Sequence, residues 1–398
     1  MEALYQFHAN LIKQVNGSFF RYLLDDIHWN QRMLAIKGLR GVGKTTLLLQ
    51  YIKFRLKKPS EQVLYITADH HWFYTHTLVE TADEFYKNGG RYLFIDEVHK
   101  YPRWSVELKN IYDGYPDLKV VFTSSSALDI YKGEADLSRR VITYELTGLS
   151  FREYLHMNGH TAIPKIKWKD MRSRHIELAQ EVLEHIQPLP LFKKYLRFGY
   201  LPIFHEGENE DVPIRINQTI NTVIESDLAG IMDYSPGTSF KVKKVLGVLA
   251  ESAPFKPNIA ALARKLDVSR DSIYAWFVHL EKARMLNLLL AEGKGVSMLQ
   301  KPEKVFLENT NLAYALKINP DQGAIRETFL LNQLRNKDWK VTSPLHGDFL
   351  VKDIHIEVGG KNKGIKQVDM HPDFLIAADE IEIGFQNKIP LWLFGLLY

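Results

Sequence analysis

The sequence predicts an α/β fold whose N-terminal part is a parallel β-sheet with a phosphate-binding loop. Residues 38–45 read GLRGVGKT and fit the pattern G-x-x-x-x-G-K-[ST] at every fixed position. The apolar run 33–36 before this segment is typical of a strand, and residues 45–53 after it are typical of a helix. Further strand-like runs follow at the spacing of β-α units, at residues 63–66, 92–97, 119–125 and 141–146. Apolar strands separated by helix-length segments indicate a parallel sheet that is covered on both faces.

The residue types in the loop suit phosphate binding. Glycines let successive backbone N–H groups point at one anion, and the helix that follows adds the positive end of its dipole. We expect Lys44 to reach the β- and γ-phosphates of ATP and Thr45 to place its hydroxyl on Mg²⁺. The alternative is an ordinary glycine-rich turn before a helix. The candidate nucleotide-binding residues are Gly38, Leu39, Arg40, Gly41, Val42, Gly43, Lys44, Thr45 and Thr46.

Polar side chains end the third and fourth strand-like runs, at the sheet edge where ligands bind in folds of this class. Asp96 is a candidate Mg²⁺ ligand, and Glu97 is a candidate catalytic residue that polarises the attacking water. An acid positioned on water favours hydrolysis over phosphoryl transfer to another substrate. Ser124 and Ser125 are candidates for contacting the γ-phosphate or aligning the water, and the alternative for both is a turn serine. The guanine-specific pattern Asn-Lys-x-Asp is absent from the sequence, which favours ATP over GTP.

Arg139 and Arg140 directly precede the fifth strand-like run. Either residue is a candidate arginine finger, acting from a neighbouring subunit of a homo-oligomer or on domain closure. Stabilising the charge on a transferring phosphoryl group in this way accelerates hydrolysis by ~10³ or more. The alternative is a solvated basic pair at the start of a strand.

The composition limits the class of protein. A chain of 398 residues with 45% hydrophobic residues is folded and has more than one domain. The net charge of +4 permits nucleic acid as a partner without arguing for it. The absence of cysteine excludes disulfides, thiolate zinc sites and cysteine nucleophiles. The sequence starts without the pattern of a signal peptide and has no apolar run of membrane length, so we expect a cytoplasmic protein without membrane association.

Three segments together resemble the prokaryotic AAA-type P-loop ATPases that carry a C-terminal domain of unknown function. They read GLRGVGKTT at 38–46, LFIDEVHKYPRW at 93–104 and GEADLSRR at 133–140. The likeness continues at 149–155, 357–363 and 390–395, so it covers most of the chain. It implies ATP binding and an AAA-type sheet followed by a helical lid. It implies no particular cellular role.

The chain after the predicted sheet divides into three parts. Residues 148–238 have helical periodicity, and we expect a helical lid or a helical spacer. Residues 258–280 are typical of two helices joined by a turn, with Ser269 as a cap, and strand-like runs follow at 286–290 and 304–307. The region 239–300 therefore resembles a winged helix-turn-helix.

Charge makes this winged-helix-like region a candidate DNA-binding site. Residues 241–300 contain ten Lys and Arg against five Asp and Glu. The candidate DNA contacts are Arg270, Ser272, Tyr274 and Lys294. The alternative is a winged helix that packs on protein or connects domains and binds no DNA.

The last part, 301–398, is similar to an α+β restriction-endonuclease-like module. Glu327, Asp348, Glu357 and Lys361 lie among strand-like runs, and the metal site of that fold uses acids and a lysine. The family pattern Glu-x-Lys places both side chains on one strand face, whereas here Gly359 stands two places after Glu357. A degenerate structural module is therefore the alternative to a nuclease.

These patterns predict a Mg²⁺-dependent, ATP-hydrolysing AAA-type ATPase with core residues 1–147 and a C-terminal recognition module. Two alternatives remain open. One is a nucleotide-switched DNA-binding protein, in which slow hydrolysis only sets the conformation. The other is a nuclease coupled to the ATPase.

Overall fold

The computed structural model describes residues 1–124, 137, 139–207, 209–251, 256–292, 301–364 and 374–398. The chain forms two compact units, Met1–Thr147 and Gly148–Tyr398. Ser125 and Lys294 lie outside the described residues, so the predictions for these two side chains stay predictions.

The first unit is built on a five-stranded sheet in which every neighbouring pair of described strands is parallel. In chain order the strands are β1 (Met33–Lys37), β2 (Val63–Thr67), β3 (Tyr92–Asp96), β4 (Lys119–Ser124) and β5 (Ile142–Glu145). Strands β1, β2 and β3 each contain four consecutive buried residues, as expected for a sheet covered on both faces. The predicted α/β fold with a parallel sheet is confirmed.

The order of the strands positions the candidate site. Across the sheet they follow the order β2-β3-β4-β1-β5. Strand β4 therefore lies between β1, which leads into the loop 38–45, and β3, which ends at Asp96. Because all the strands run in one direction, Ser124 at the end of β4 lies at the same edge as the loop and the acids.

Helices in the first unit connect and cover the strands. They are α1 (Glu2–Gln14), α2 (Leu23–Asp26), α3 (Lys44–Phe54), α4 (Leu78–Lys87) and α5 (Trp104–Gly114), with single turns at Ser60–Gln62, His71–Tyr74 and Val98–Lys100. Helix α4 starts at a capping box, because the Thr77 hydroxyl accepts from the Glu80 N–H and the Glu80 carboxylate accepts from the Thr77 N–H. Helix α3 starts directly after the glycine-rich segment, as the sequence predicts.

The second unit is mainly helical before residue 284. Its helices are α6 (Phe151–Met157), α7 (Trp168–Leu183), α8 (Pro188–Lys194), α9 (Val212–Thr222), α10 (Ala229–Met232), α11 (Pro236–Glu251), α12 (Ile259–Leu266), α13 (Arg270–Lys282), α14 (Thr310–Leu316) and α15 (Gln322–Asn336). Stretches of π-helix lie at Tyr195–Gly199 and Val223–Leu228, and single turns lie at Pro202–Glu206 and Asn209–Asp211. The helical character expected for 148–238 is present, whereas its role as a lid stays a prediction.

The predicted helix-turn-helix segment forms two capped helices and a strand pair. The Asn258 side chain accepts from the Ala261 N–H at the start of α12, and the Ser269 hydroxyl accepts from the Ser272 N–H at the start of α13. Strands β6 (Leu286–Leu289) and β7 (Lys304–Leu307) pair antiparallel. These elements match the predicted helices and strands, and a winged-helix identity for the segment stays a prediction.

A second five-stranded sheet lies in the C-terminal part. Its strands are β8 (Val341–Thr342), β9 (Phe349–Val351), β10 (Ile354–Gly359), β11 (Phe374–Ala378) and β12 (Lys388–Pro390). The order is β12-β11-β10-β9-β8, with parallel pairs on the β12 side of β10 and antiparallel pairs on the other side. The final turn Leu391–Leu396 is buried throughout, so the apolar run at 390–398 forms part of the core. Within the described ranges, no helix has the length and hydropathy of a membrane span.

Candidate functional site

The loop between β1 and α3 has a backbone that requires glycine. A Cβ atom on Gly38 would lie 2.2 Å from the backbone oxygen of Leu146. Gly41 and Gly43 have φ values of 84° and 95°, in the left-handed region that favours glycine. Gly43 directly precedes α3, so the chain turns from the loop into the amino end of the helix. The backbone N–H groups of a helix start are the groups that bind phosphate.

The side chains of Lys44 and Arg21 both donate hydrogen bonds to backbone oxygens of the loop. The buried Lys44 ammonium donates to the backbone oxygens of Gly38 and Leu39, at 3.0 and 3.2 Å. Arg21 donates through one guanidinium nitrogen to the Val42 oxygen and through the other to the Thr147 oxygen, both at 2.7 Å. Sequence reasoning missed Arg21, because no motif marks it and its contacts are distant in the chain.

The other predicted loop residues differ in exposure. Leu39 and Val42 are buried, so their side chains belong to the core and only their backbones are available to a ligand. Arg40 is half-buried, and Thr45 and Thr46 are exposed in the first turn of α3.

Asp96 is surrounded by hydroxyl groups from three other elements. Thr45 donates to Asp96 Oδ2 at 2.5 Å, and Tyr65 on β2 donates to the same oxygen at 2.8 Å. The Thr123 hydroxyl on β4 donates to Asp96 Oδ1. Burial raises the pKa of Tyr65 strongly, and the adjacent Asp96 charge adds to the effect, so the Tyr65 hydroxyl stays protonated at neutral pH and donates a hydrogen bond to Asp96.

The oxygen-only chemistry of this group fits Mg²⁺, which prefers one or two carboxylate or hydroxyl oxygens together with water and substrate phosphates. Within the described residues, no three His, Asp or Glu side chains cluster as a dedicated metal cage would require. Thr45 and Asp96 are in direct contact beside the loop, which is an arrangement suited to sharing a metal ion with bound nucleotide.

Glu97 follows Asp96 in an unusual backbone conformation. Its φ of 53° lies in the left-handed region, which costs a residue with a side chain about 1 kcal/mol or more. The Glu97 N–H donates to the Thr123 hydroxyl at 3.0 Å, so the hydroxyl that holds Asp96 also holds the Glu97 backbone. The carboxylate is one-fifth exposed, and its Oε2 lies 3.4 Å from His99 Nε2.

Ser124 is buried at the end of β4 and also contacts His99. Its hydroxyl oxygen lies 3.4 Å from His99 Nδ1. The His99 side chain is 2% exposed, and burial together with the positive charges of Lys100, Lys44 and Arg40 lowers its pKa to about 3. The imidazole is therefore neutral at neutral pH.

Arg139 and Arg140 lie at the opposite edge of the sheet from the loop. They precede β5, and β5 runs parallel to β1, whose far end carries the loop. Arg140 forms a bidentate pair with Asp113 at the end of α5, with N–O distances of 2.9 and 3.0 Å. Arg139 is exposed with φ at 68°. Neither arginine lies at the loop edge of its own sheet, and the arginine-finger role stays a prediction.

The structure therefore brings together Lys44, Thr45, Asp96, Glu97 and Ser124, and it adds Tyr65, Thr123, His99 and Arg21 to them. Thr123 is next to Ser124, and His99 is two residues after Glu97. Their closeness in the sequence to predicted site residues could therefore have identified both. Tyr65 has no such signal, because its hydroxyl reaches Asp96 only through the pairing of β2 with β3.

The second unit contains a separate cluster of acids and lysines, which we call the acid–lysine cluster. The Lys304 ammonium bridges Glu327 Oε2 at 3.0 Å and Asp348 Oδ1 at 3.1 Å. Lys363 pairs with Glu357 Oε1 at 2.5 Å. The sequence predicted the three acids together with Lys361, which is exposed in the structure. It did not predict Lys363, because the turn after β10 that brings Lys363 to Glu357 was not anticipated.

A basic cavity of about 700 Å³ lies beside the helix pair of the predicted winged helix. Its lining includes the exposed cations Lys256, Arg270 and Lys301, together with Tyr274 and Glu303. The amino end of α12, with Asn258 as its cap, also lines this cavity.

The chain matches a family model over part of its length and a relative over most of its length. Residues 30–155 match the family model described as an AAA domain. The chain is 26% identical over 296 residues to the uncharacterized protein MJ1637 of Methanocaldococcus jannaschii. That alignment covers 72% of this chain and 62% of the relative, so the chain spans less than two thirds of the relative's length.

Two solved structures are similar at low identity. The Walker-type ATPase PABY2304 of Pyrococcus abyssi is 12% identical with a TM-score of 0.42, covering 74% of this chain and 93% of that one. The ORC1 protein of Aeropyrum pernix, solved in complex with DNA, is 13% identical with a TM-score of 0.31, covering 80% and 92%. TM-scores this low do not indicate a shared arrangement of the whole chain.

Proposed function

We propose that the first unit binds ATP with Mg²⁺ and hydrolyses it, and the match of residues 30–155 to an AAA domain supports this proposal. The observation that carries this proposal is the convergence of Lys44, Thr45, Asp96, Glu97 and Ser124 at one edge of a parallel sheet. These residues lie at the start of α3, at and directly after the end of β3, and at the end of β4. Their side chains match the parts that phosphoryl transfer to water requires.

Each residue has a separate task in the proposed reaction. The loop N–H groups and Lys44 bind the β- and γ-phosphates. Thr45 and Asp96 would hold Mg²⁺, which when bound neutralises charge on the phosphates. Glu97 accepts a proton from the attacking water, and the Ser124 hydroxyl donates to the terminal phosphate. Residues beyond 147 are proposed to recognise a target whose response depends on the nucleotide.

The proposal is tested by phosphate release from ATP in purified full-length protein. We expect release with Mg²⁺ and none when EDTA removes the metal. GTP should be a poor substrate if the site selects adenine. If the protein binds ATP saturably but releases no phosphate with Mg²⁺ present, it binds nucleotide without hydrolysing it, and the hydrolysis part of the proposal is wrong.

A second proposed function is duplex DNA binding through the basic cavity of the second unit. The observation that favours it is the grouping of Lys256, Arg270 and Lys301 around a helix start, because cations and helix N–H groups both bind backbone phosphate. Tyr274 adds an aromatic ring beside these charges.

This second function is tested by fluorescence anisotropy with a labelled duplex at low and high salt. We expect affinity to fall steeply as salt rises, since bound cations displace counterions. The double variant Arg270→Glu with Lys301→Glu should weaken binding, whereas the matched pair Lys165→Glu with Lys340→Glu, at exposed positions elsewhere in the unit, should not. No binding by the unmodified protein at micromolar concentration, with or without ATP, would exclude the function.

A further inference from the structure

The basic cavity of the second unit combines a charged surface with an apolar one. Its lining includes the exposed cations Lys256, Arg270 and Lys301. Within the described residues, none of these cations forms an ion pair or a side-chain hydrogen bond, so their charges are available to an anionic ligand. The lining also includes the buried, apolar Pro257 and Pro302. The cavity therefore suits a ligand that has both a negatively charged part and an apolar part.

Tyr274 adds an aromatic ring to the same lining. It lies four residues after Arg270 on α13, and residues at this spacing share one face of a helix. In the part of the chain that the structure describes, the half-buried ring contacts no other aromatic side chain and its hydroxyl has no hydrogen-bond partner. A ring beside a cation can receive the flat face of a nucleic-acid base while the cation binds the phosphate of the same nucleotide.

The size of the cavity limits what it can hold. Its volume is about 700 Å³. Cavities of roughly 300–1,000 Å³ enclose a single small ligand, so this one fits a nucleotide and not a length of double helix. An intact duplex presents phosphates and the edges of its base pairs, whereas the faces of its bases are covered by stacking. Tyr274 would find no base face on such a duplex. An unpaired nucleotide exposes both a phosphate and a base face.

Two further groups in the lining fit a nucleotide. Ile259 and Ala260 begin α12, and the backbone N–H groups of a helix start bind phosphate. Glu303 carries a carboxylate, which repels phosphate but accepts hydrogen bonds from the amino groups of bases. A lining that attracts phosphate and also accepts from amino groups matches a whole nucleotide better than a phosphate group alone.

We propose that the basic cavity binds one unpaired nucleotide of a DNA duplex, with its phosphate on the cations and its base stacked on Tyr274. This inference rests on the proposed duplex binding by the second unit, and it names the DNA structure that the site prefers. The unpaired nucleotide leaves the stack and enters the cavity, while its paired neighbours stay outside. Unstacking costs least at a position that has no pairing partner, so the cavity selects such positions.

The test uses fluorescence anisotropy with the full-length protein and three labelled duplexes of equal length. One duplex is fully paired, one carries a single unpaired nucleotide, and one carries a single unpaired abasic position. We expect the duplex with the unpaired nucleotide to bind about tenfold more tightly than the fully paired one, because one base stacks on an aromatic ring. The abasic duplex keeps the extra phosphate and the flexibility but lacks the base, so it should bind about as the fully paired duplex does.

Variants of Tyr274 separate stacking from other contacts. Tyr274→Ala should remove the preference for the unpaired nucleotide, whereas Tyr274→Phe should keep it because the ring remains. Both variants should bind the fully paired duplex as the unmodified protein does, which reports that the unit is folded. The matched control is Phe240→Ala, which removes an exposed ring beside Lys244 outside the cavity lining and should leave the preference unchanged.

Three results would overturn the inference while leaving the proposed duplex binding intact. They are equal affinities for the paired duplex and the duplex with the unpaired nucleotide, an abasic duplex that binds as tightly as the one with the base, and a preference that persists in Tyr274→Ala. Displacement of the labelled DNA by a free deoxynucleoside monophosphate at micromolar concentration would overturn it in another way, by identifying a site for a small nucleotide. Failure of the proposed duplex binding is distinguishable, since no duplex would then bind.

Discussion

The two units each contain a group of carboxylates with little solvent exposure, but different side chains contact these carboxylates in each unit. In the first unit, Asp96 contacts the hydroxyls of Thr45, Tyr65 and Thr123, which are neutral donors. In the acid–lysine cluster, the ammonium groups of Lys304 and Lys363 contact the carboxylates directly. Hydroxyls orient a carboxylate and leave its negative charge in place, whereas an ammonium group compensates the charge.

This difference suits the two groups to different chemistry. Carboxylates whose charge is retained beside a phosphate-binding loop can attract a metal ion and polarise water. The acid–lysine cluster is close to electrical balance by itself. Burial raises the pKa of Glu327 to about 7, and the adjacent charge of Asp348 adds to the rise, so Glu327 is partly protonated at neutral pH. The two lysines then contact three carboxyl groups that together carry little more than two negative charges. Such near-neutral pairing is typical of a structural ion cluster.

The largest expected effect is on the loop of the first unit. Lys44→Ala removes the ammonium that we propose binds the β- and γ-phosphates, so we expect ATP affinity to fall by ~10² or more. The matched control is Lys53→Ala, at the other end of α3, which should bind ATP normally. Calorimetric titration with ATP measures both, and equal affinities in the two variants would mean that the loop does not bind phosphate.

In the acid–lysine cluster the corresponding change should affect stability rather than nucleotide binding. Lys304→Met leaves Glu327 and Asp348 without their shared counter-charge, and we expect the free energy of unfolding to fall by about 3–5 kcal/mol. Lys317→Met breaks a solvent-exposed pair with Glu251 and should cost less than about 1 kcal/mol. Urea unfolding compares the two variants. If Lys304→Met costs no more than Lys317→Met, the ammonium is not what stabilises the acids.

The raised pKa of Glu327 predicts how stability depends on pH. A carboxyl whose pKa is higher in the folded than in the unfolded protein binds more protons when folded, so stability decreases as pH rises. The effect should begin near the ordinary value of 4.5 and be complete once the pH has passed about 7. Glu327→Gln should flatten this part of the stability profile, and Glu251→Gln should not. A profile that is unchanged by Glu327→Gln would contradict the assigned shift.

The smallest expected effect concerns assembly of the first unit. Because Arg139 and Arg140 lie at the edge away from the loop, we expect either one to act on a nucleotide held by another subunit. A mixture of an inactive arginine variant with Glu97→Gln should recover part of the ATP turnover, since each protein supplies what the other lacks. If mass measurement confirms mixed assemblies but no ATP turnover is recovered, we would conclude that the Arg140–Asp113 pair is a structural contact.

The sequence predicted the first site better than the second for a physical reason. The loop, Asp96, Glu97 and Ser124 follow individual strands, so local pattern and the parallel sheet were enough to place them together. Tyr65 and Arg21 could not be found in this way, because their contacts depend on strand pairing and on chain distant in sequence. In the second unit the acids could be selected from the sequence. Which of Lys361, Lys363 and Lys304 contacts them depended on the path of the turn after β10 and on the position of β7, a strand distant from the acids in the sequence.

Glu97 is proposed to activate water for ATP hydrolysis, and a comparison of two glutamine variants tests this role. Glu97→Gln keeps the shape of the side chain but is a far weaker base, so ATP turnover with Mg²⁺ should fall by ~10² or more while ATP affinity is retained. Glu84→Gln, an exposed glutamate of the same unit, serves as the control and should turn over ATP normally. Normal turnover in Glu97→Gln would contradict the account and would assign the activation of water to another residue.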